Sequence, residues 1–392
     1  MLDLASSAGP HATPLSGGAL AGTRIERIET QIVDIPTVRQ HKLSSLSTTQ
    51  QNYVLVRVRT ADGVEGVGEA ATLGGPRWSE ESVEGIKATI DTYLAPAIIG
   101  MEAAGFEAVG RTLAEAAKRN NAAKAAIESA LFDAVGKTLG IPASALLGGA
   151  VRDRIRVLWT LASGDPEQEV AEAEKKLAER KHNIFKVKIG AKPAAEDMAR
   201  LRRIAAALEG RAELIVDANQ AWSETTALRC FDEMDEMGIA LVEQPLPAWD
   251  VAGMARLRAR TRVPIMADEA IFSEHDAFVV GQAAAADVVS LKLVKHGGLL
   301  GTRRVAAVAE AAGIGLYGGC LLESSVGAAA HLQVFAALPR LDWHCEHFGP
   351  QILKDDLVTA PLRFEDFHIL LPQGPGLGIT LDEDKVARYA RG

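Results

Sequence analysis

The sequence predicts an α/β chain: a parallel (β/α) barrel, or one close to it, preceded by an α+β unit. Three observations carry this. Eight short apolar runs recur after about Arg154, from "RVLWTLASG" to "DWHCEHFG". Most are separated by helical stretches such as "PEQEVAEAEKKLAERK" and "AAEDMARLRRIAAALEG". Strands alternating with helices make parallel sheets, and eight of them close into a barrel. Ahead of them, strand-like runs are followed by helix-like ones, the order of an α+β unit. An open doubly wound sheet is the competing arrangement. It needs a switch-point ligand loop, commonly glycine-rich after the first strand, and "ASGDPEQ" is a poor match.

In chain order, residues 1 to 22 are small, polar and rich in Gly, Pro and Ser. They lack a signal peptide's charged start and apolar core, so a flexible tail is expected. Residues 23 to 150 form the α+β unit. "RIERIETQIVDIP" and "NYVLVRVRTADGVEGVGEA" read as strands, the latter turning at Asp62-Gly63. "WSEESVEGIKATIDTYLAPAII" reads as a helix with Ser79 as N-cap and Glu80 and Glu81 in the first turn. "NAAKAAIESALFDAVGKTLG" is an Ala-rich helix ending at Gly140. The barrel follows over residues 151 to 350. The Pro- and Gly-rich segment 351 to 392 is expected to return to the first domain.

Bulk properties exclude several functions. A net charge of -9 offers no basic footprint for nucleic acid. No run of about 18 apolar residues suggests a membrane span. Three cysteines, Cys230, Cys320 and Cys345, make no disulfide framework and suit a reducing cytoplasm.

Barrel chemistry collects at the C-terminal ends of strands, and charged residues sit there run after run. Lys186 and Lys188 end the second, Asp217 the third, Glu243 the fourth, Asp268 the fifth and Lys292 the sixth. Glu323 follows the seventh and Glu346 ends the eighth. The three acids come from consecutive strands, 26 and 25 residues apart. Converging carboxylates repel and desolvate at high cost unless a cation relieves them. Oxygen-only ligands favour Mg²⁺ or Mn²⁺. Any one of these acids could instead cap the helix that follows it.

Lys186 and Lys188 lie two apart and share a strand face, while Val187 points to the outer helices. Adjacent ammonium groups near a dication are expected to lower one another's pKa. Charged gatekeepers on a sheet edge are the plainer reading, but a closed barrel has no such edge. Lys292 lies across the barrel, so two lysines would flank the metal. For Lys295, three positions later, a surface role is expected. His331 lies in an apparent helix, where a packed or an exposed role is expected rather than catalysis. Cys320, Ser324 and Ser325 lack a paired base, which argues against covalent catalysis.

Together "KVKIG", "VDANQAW", "VEQPLP", "ADEA", "LKLVKHGG", "GLYGGCLLESS" and "FDAVGKTLGIPASALLGG" resemble the enolase superfamily, muconate-lactonizing subgroup. The resemblance spans about residues 24 to 375. It implies an α+β capping domain over a modified (β/α)₇β TIM-type barrel. It implies a divalent metal, Mn²⁺ or Mg²⁺, at Asp217, Glu243 and Asp268. It also implies acid/base lysines at Lys188 and Lys292, with Lys186 assisting and Glu346 handling a proton or hydrogen bond. "DIPTVRQHKLSSLSTTQQNYVLVRV", "WTLASGD", "RKHNIFKVKIGA" and "CEHFGP" resemble the subgroup's cycloisomerases. The implied reaction converts cis,cis-muconate to muconolactone through an enediolate. Asn219, Glu323, Phe348, His41 and Lys42 are the expected contacts to a small dicarboxylate substrate. A homo-oligomer is implied, with an octamer as the expected form.

Other readings stay open. A chloromuconate cycloisomerase is a near variant. An N-acylamino acid racemase or dipeptide epimerase would use the same lysine pair. An acid-sugar dehydratase would want a late-strand His base. A non-catalytic barrel would have lost ligands or lysines, and none is missing.

Overall fold

The computed structural model describes residues 22–42, 44 and 46–392. The tail expected over residues 1 to 22 lies outside the described residues except for Gly22, as do Leu43 and Ser45.

An antiparallel sheet opens the chain, in the order β1 (Ile25–Lys42), β2 (Ser47–Thr60) and β3 (Glu65–Thr72). The β2–β3 turn falls at Asp62-Gly63. Asp62 accepts from Thr60 Oγ1 at 2.6 Å and from the Val64 N–H at 3.2 Å, and Gly63 takes φ +82°. One face of this sheet is covered by the helix Asn121–Leu139, which Gly140 ends at φ +68°. The approach is close because β3 has glycines where they meet. A Cβ on Gly66 or Gly68 would stand 2.0 Å from the carbonyl oxygens of Ala130 and Ala126.

The preceding helix corrects one expectation. Ser82, not Ser79, is the N-cap of Val83–Thr89, accepting from the Gly85 N–H at 3.2 Å. Glu81 serves another helix: its carboxylate accepts from the Ala122 and Ala123 N–H groups at 2.9 and 3.3 Å. Both free donors belong to the positive end of Asn121–Leu139, where a carboxylate is stabilised.

The run "RVLWTLASG" divides. β4 (Arg154–Arg156) joins a small antiparallel sheet with β12 (Phe364–Glu365) and β13 (His368–Leu370), and β5 (Trp159–Leu161) enters the barrel. β5 is followed in parallel by β6 (Ile184–Lys188), β7 (Glu213–Asp217), β8 (Leu241–Glu243), β9 (Ile265–Ala267), β10 (Val288–Leu291) and β11 (Gly315–Gly318). A helix follows every one, from Pro166–Ala178 after β5 to Ser325–Ala337 after β11. The expected eighth strand is reduced to one residue. Cys345 bridges in parallel to both Val157 and Gly318. Its carbonyl accepts from the Leu158 N–H at 2.9 Å, and its N–H donates to Arg156 at 3.0 Å. The neighbouring His344 sits at φ +70°, which breaks extended geometry. The result is seven βα units closed by a single bridging residue, a (β/α)₇β barrel.

After the barrel the chain runs back along the first sheet. The Leu377 N–H donates to Asp133 at 2.8 Å, and Arg391 pairs with Asp34 at 2.7 Å. No described helix is long and apolar enough to cross a membrane. All three cysteines are free and buried.

Candidate active site

The parallel register lines up the ends of the strands. Lys188 pairs with Asp217 across β6 and β7, and Asp217 with Glu243 across β7 and β8. A pocket opens over these ends. Lys188, Asp217, Asn219, Asp268, Lys292 and Glu346 line it from the barrel. The capping sheet and the stretch after it add His41, Leu73 and Trp78. Phe348 closes one side, its ring 4.9 Å from that of Trp159.

Each of the three strand-end acids holds a lysine. Lys188 Nζ lies 2.5 Å from Asp217, Lys186 Nζ 2.5 Å from Glu243 and Lys292 Nζ 2.6 Å from Asp268. Lys186 also pairs with Glu346, which accepts from Tyr317 Oη at 2.5 Å and from the Cys320 N–H at 3.2 Å. Lys186 is 1% exposed, so its ammonium depends wholly on these partners. Lys292 Nζ sits 4.3 Å from the Trp78 ring centre, a cation–π contact.

Lys186 does depress Lys188, as expected of neighbouring ammoniums, but the carboxylates around them outweigh that repulsion. Burial pulls both ammoniums down, but Glu243 and Glu346 hold Lys186 well above its ordinary value. Asp217 likewise lifts Lys188, against burial and Lys186. Carboxylates outnumber neighbouring cations here, and attraction wins. Burial also works to raise Asp268, but Lys292 and Lys295 hold it far below the carboxylate range. Glu243 goes the other way: burial and then Asp217 push it well up, beyond what Lys186 offsets. Glu346 is drawn down to about 2, burial being outweighed by Lys186 and Lys292.

The donor chemistry fits a divalent cation. Asp217, Glu243, Asp268, Glu269, Glu323 and Glu346 stand among Lys186, Lys188, Lys292 and Lys295. Burial and Asp217 push Glu243 towards its neutral form, and a dication among these carboxyls would favour the ionised one. Asp217, Glu243 and Asp268 could hold it with oxygen alone. With lysines leaning on them, the three do not close to within 4.8 Å of one another. Among the described residues the one such set of His, Cys, Asp and Glu is Glu323, His331 and His347. His331 Nδ1 donates to the Gly327 carbonyl at 2.8 Å and Nε2 accepts from the Leu293 N–H at 3.0 Å, so its lone pair is already used.

Several expected substrate contacts are placed differently. His41, Asn219 and Phe348 line the pocket, whereas Lys42 and Glu323 do not. Lys42 Nζ donates to the Ser163 carbonyl at 2.8 Å on the exposed side. Glu323 turns back into its own loop, accepting from the Leu321 N–H at 2.9 Å, and faces His347 at 4.0 Å. Lys295 is not on the surface: it is 0% exposed and donates to Asp268 Oδ1 and O at 2.8 and 2.7 Å. The short helix Leu293–His296 turns it back under the strand end.

Sequence reading missed Glu269, Tyr317 and Trp78. Glu269 accepts from Asn219 at 3.2 Å and is lifted to about 7 by burial and by Asp268. Its signal was present, a second acid in "ADEA". Tyr317 was visible as the polar member of an apolar strand. Nothing near Trp78 in the sequence points to Lys292.

Comparison with known proteins accords with this geometry. The chain matches the mandelate racemase / muconate lactonizing enzyme N-terminal domain over residues 27–148 and the enolase C-terminal domain-like family over residues 168–385. It is 48% identical to muconate cycloisomerase 1-2 of Acinetobacter lwoffii, over 94% of this chain and 96% of that one. It is 44% identical to a chloromuconate cycloisomerase of Delftia acidovorans, over 94% and 99%. Muconate lactonizing enzyme from Pseudomonas fluorescens, solved with muconolactone, superposes with a TM-score of 0.93 at 47% identity, covering 94% of this chain and 100% of that one. By sequence, fold and the order of its strand-end charges, the chain belongs to the mandelate racemase / muconate lactonizing enzyme group of the enolase superfamily.

Proposed function

We propose that the chain is a muconate cycloisomerase, a metal-dependent isomerase interconverting cis,cis-muconate and muconolactone in aromatic catabolism. The observation that carries this is one pocket holding Lys188 at the end of β6 and Lys292 just past β10, with Asp217, Asp268 and Glu346 in its wall. The chemistry needs a proton added or removed beside a carboxylate, and an ammonium at each side of the pocket serves it.

Asp217, Glu243 and Asp268 are the proposed holders of a divalent cation, with Mg²⁺ or Mn²⁺ favoured by their oxygen donors. When bound, that cation supplies charge stabilisation as negative charge builds on the substrate carboxylate. As one substrate carboxylate adds to the conjugated system, Lys188 delivers a proton from Nζ to the α-carbon, and it takes the proton back in reverse. Lys292 stabilises the developing charge from the other side. Lys186, fixed between Glu243 and Glu346, keeps positive potential beside Lys188. His41 is held neutral by burial and by Arg39 and Lys188. Its unpartnered Nδ1 is the proposed contact for the second carboxylate, with Asn219. Leu73, Trp78 and Phe348 keep water from the carbon skeleton.

Chlorinated muconates are the second reading, favoured by the 44% identical relative. Incubation with Mn²⁺ and cis,cis-muconate should remove the diene absorbance, and a chloromuconate run in parallel ranks the two. An unchanged diene, alongside turnover of an N-acylamino acid or dipeptide, would sink the cycloisomerase reading. Chelation of the metal should abolish turnover.

A further inference from the structure

We infer that Tyr53 and Gln51 of the capping sheet are positioning residues for the loop that supplies a donor to Glu346. The loop after β11 carries the pocket wall Cys320, Leu321 and Leu322. Its Cys320 N–H donates to Glu346 Oε1 at 3.2 Å. Leu322 adopts φ +60°, a conformation a leucine resists without outside support.

That support comes from the other domain. Tyr53 Oη donates to the Leu322 carbonyl at 2.6 Å. Gln51 Nε2 donates to the Leu321 carbonyl at 2.7 Å. Both side chains belong to β2, two residues apart, and so share the sheet face that meets the barrel. Both are 0% exposed. From β3, Glu69 accepts from the Ser324 N–H at 3.0 Å and from its hydroxyl. Three side chains from the cap thus grip residues 321, 322 and 324, between 255 and 270 residues along the chain. Buried carbonyls left without donors are costly, so the loop is held to one shape. That shape sets the Cys320 N–H against Glu346 and the width of the pocket.

The catalytic consequence rests on the cycloisomerase reading; the loop geometry does not. Tyr53→Phe removes only a hydroxyl. It is expected to lower kcat about tenfold or more with a smaller change in KM, and to speed amide hydrogen exchange in the peptide spanning residues 318–325. Asn52→Ala is the control. Asn52 bonds Asp34 at 2.5 Å within the cap, so this variant should cost stability while leaving kcat and loop exchange as in wild type. Gln51→Met is expected to repeat the Tyr53→Phe result, and decides the matter if Tyr53→Phe does not fold. Loop exchange unchanged in the variants overturns the inference, as does faster exchange with wild-type kcat. If wild type turns over no muconate, the functional reading fails and loop exchange alone decides the positioning role.

Discussion

Lys188 bears the proposed proton transfer, and its surroundings say how removing it should read. Its Nζ touches Asp217 at 2.5 Å and Asn219 at 3.3 Å, within the pocket. Lys188→Ala is expected to lower kcat by about 10²- to 10⁴-fold, the range for losing a general acid. Mn²⁺ binding, followed by calorimetry, should persist because all three acids remain. Wild-type turnover would refute the assignment. At this scale much was legible. The acids and three of the lysines stand out because strand ends are regular in spacing and a charge after an apolar run is conspicuous. Lys295 was not legible, because a lysine three residues past a strand looks like a surface lysine. Only the turn of Leu293–His296, which returns its ammonium to Asp268, makes it internal.

Among the elements, β3 is constrained most visibly. Gly66 and Gly68 let the helix Asn121–Leu139 lie directly on the strand backbone. Gly68→Ala forces a methyl to within 2.0 Å of the Ala126 carbonyl unless the helix moves. Overpacking of this kind costs about 1–3 kcal/mol, so the urea midpoint should fall. An unchanged midpoint would mean the helix is free to shift. The eighth barrel position teaches the opposite lesson. "DWHCEHFG" alternates like a strand, yet only Cys345 bridges. The left-handed backbone at His344 ends the extended run, and the residues beside Cys345 complete the closure: the His344 carbonyl accepts from the Gly318 N–H at 2.9 Å, and the Glu346 N–H donates to the Gly318 carbonyl at 2.9 Å.

At the scale of the whole molecule, the seam between cap and barrel carries buried acids. Glu128, on the cap helix Asn121–Leu139, accepts from the Leu300 N–H at 3.1 Å at the start of the barrel helix Leu299–Ala311. Burial lifts its carboxyl to about 7 from an ordinary 4.5, against its backbone hydrogen bonds. The folded chain therefore holds this proton more tightly than the unfolded chain. The resulting stabilisation is complete below about pH 4.5 and fades as pH rises through about 7, with a slope of at most about 1.4 kcal/mol per pH unit. Glu128→Gln keeps an acceptor for Leu300 and removes the titration. Its urea midpoint should fall less than that of wild type between pH 5.5 and 8. Equal falls would show that Glu128 does not titrate in this window.

The barrel, its order of strands and its strand-end charges follow from the chain alone, because each is a local pattern: a two-residue or 3.6-residue period, and a charge where an apolar run stops. The contacts across the seam follow from no local pattern. Trp78 reaches Lys292, Tyr53 and Gln51 reach Leu322 and Leu321, and Glu128 reaches Leu300. In sequence these are ordinary members of a capping unit. They gain these partners only when two separately patterned domains bury their polar side chains against each other, and each buried donor or acceptor must then find its partner in the other domain.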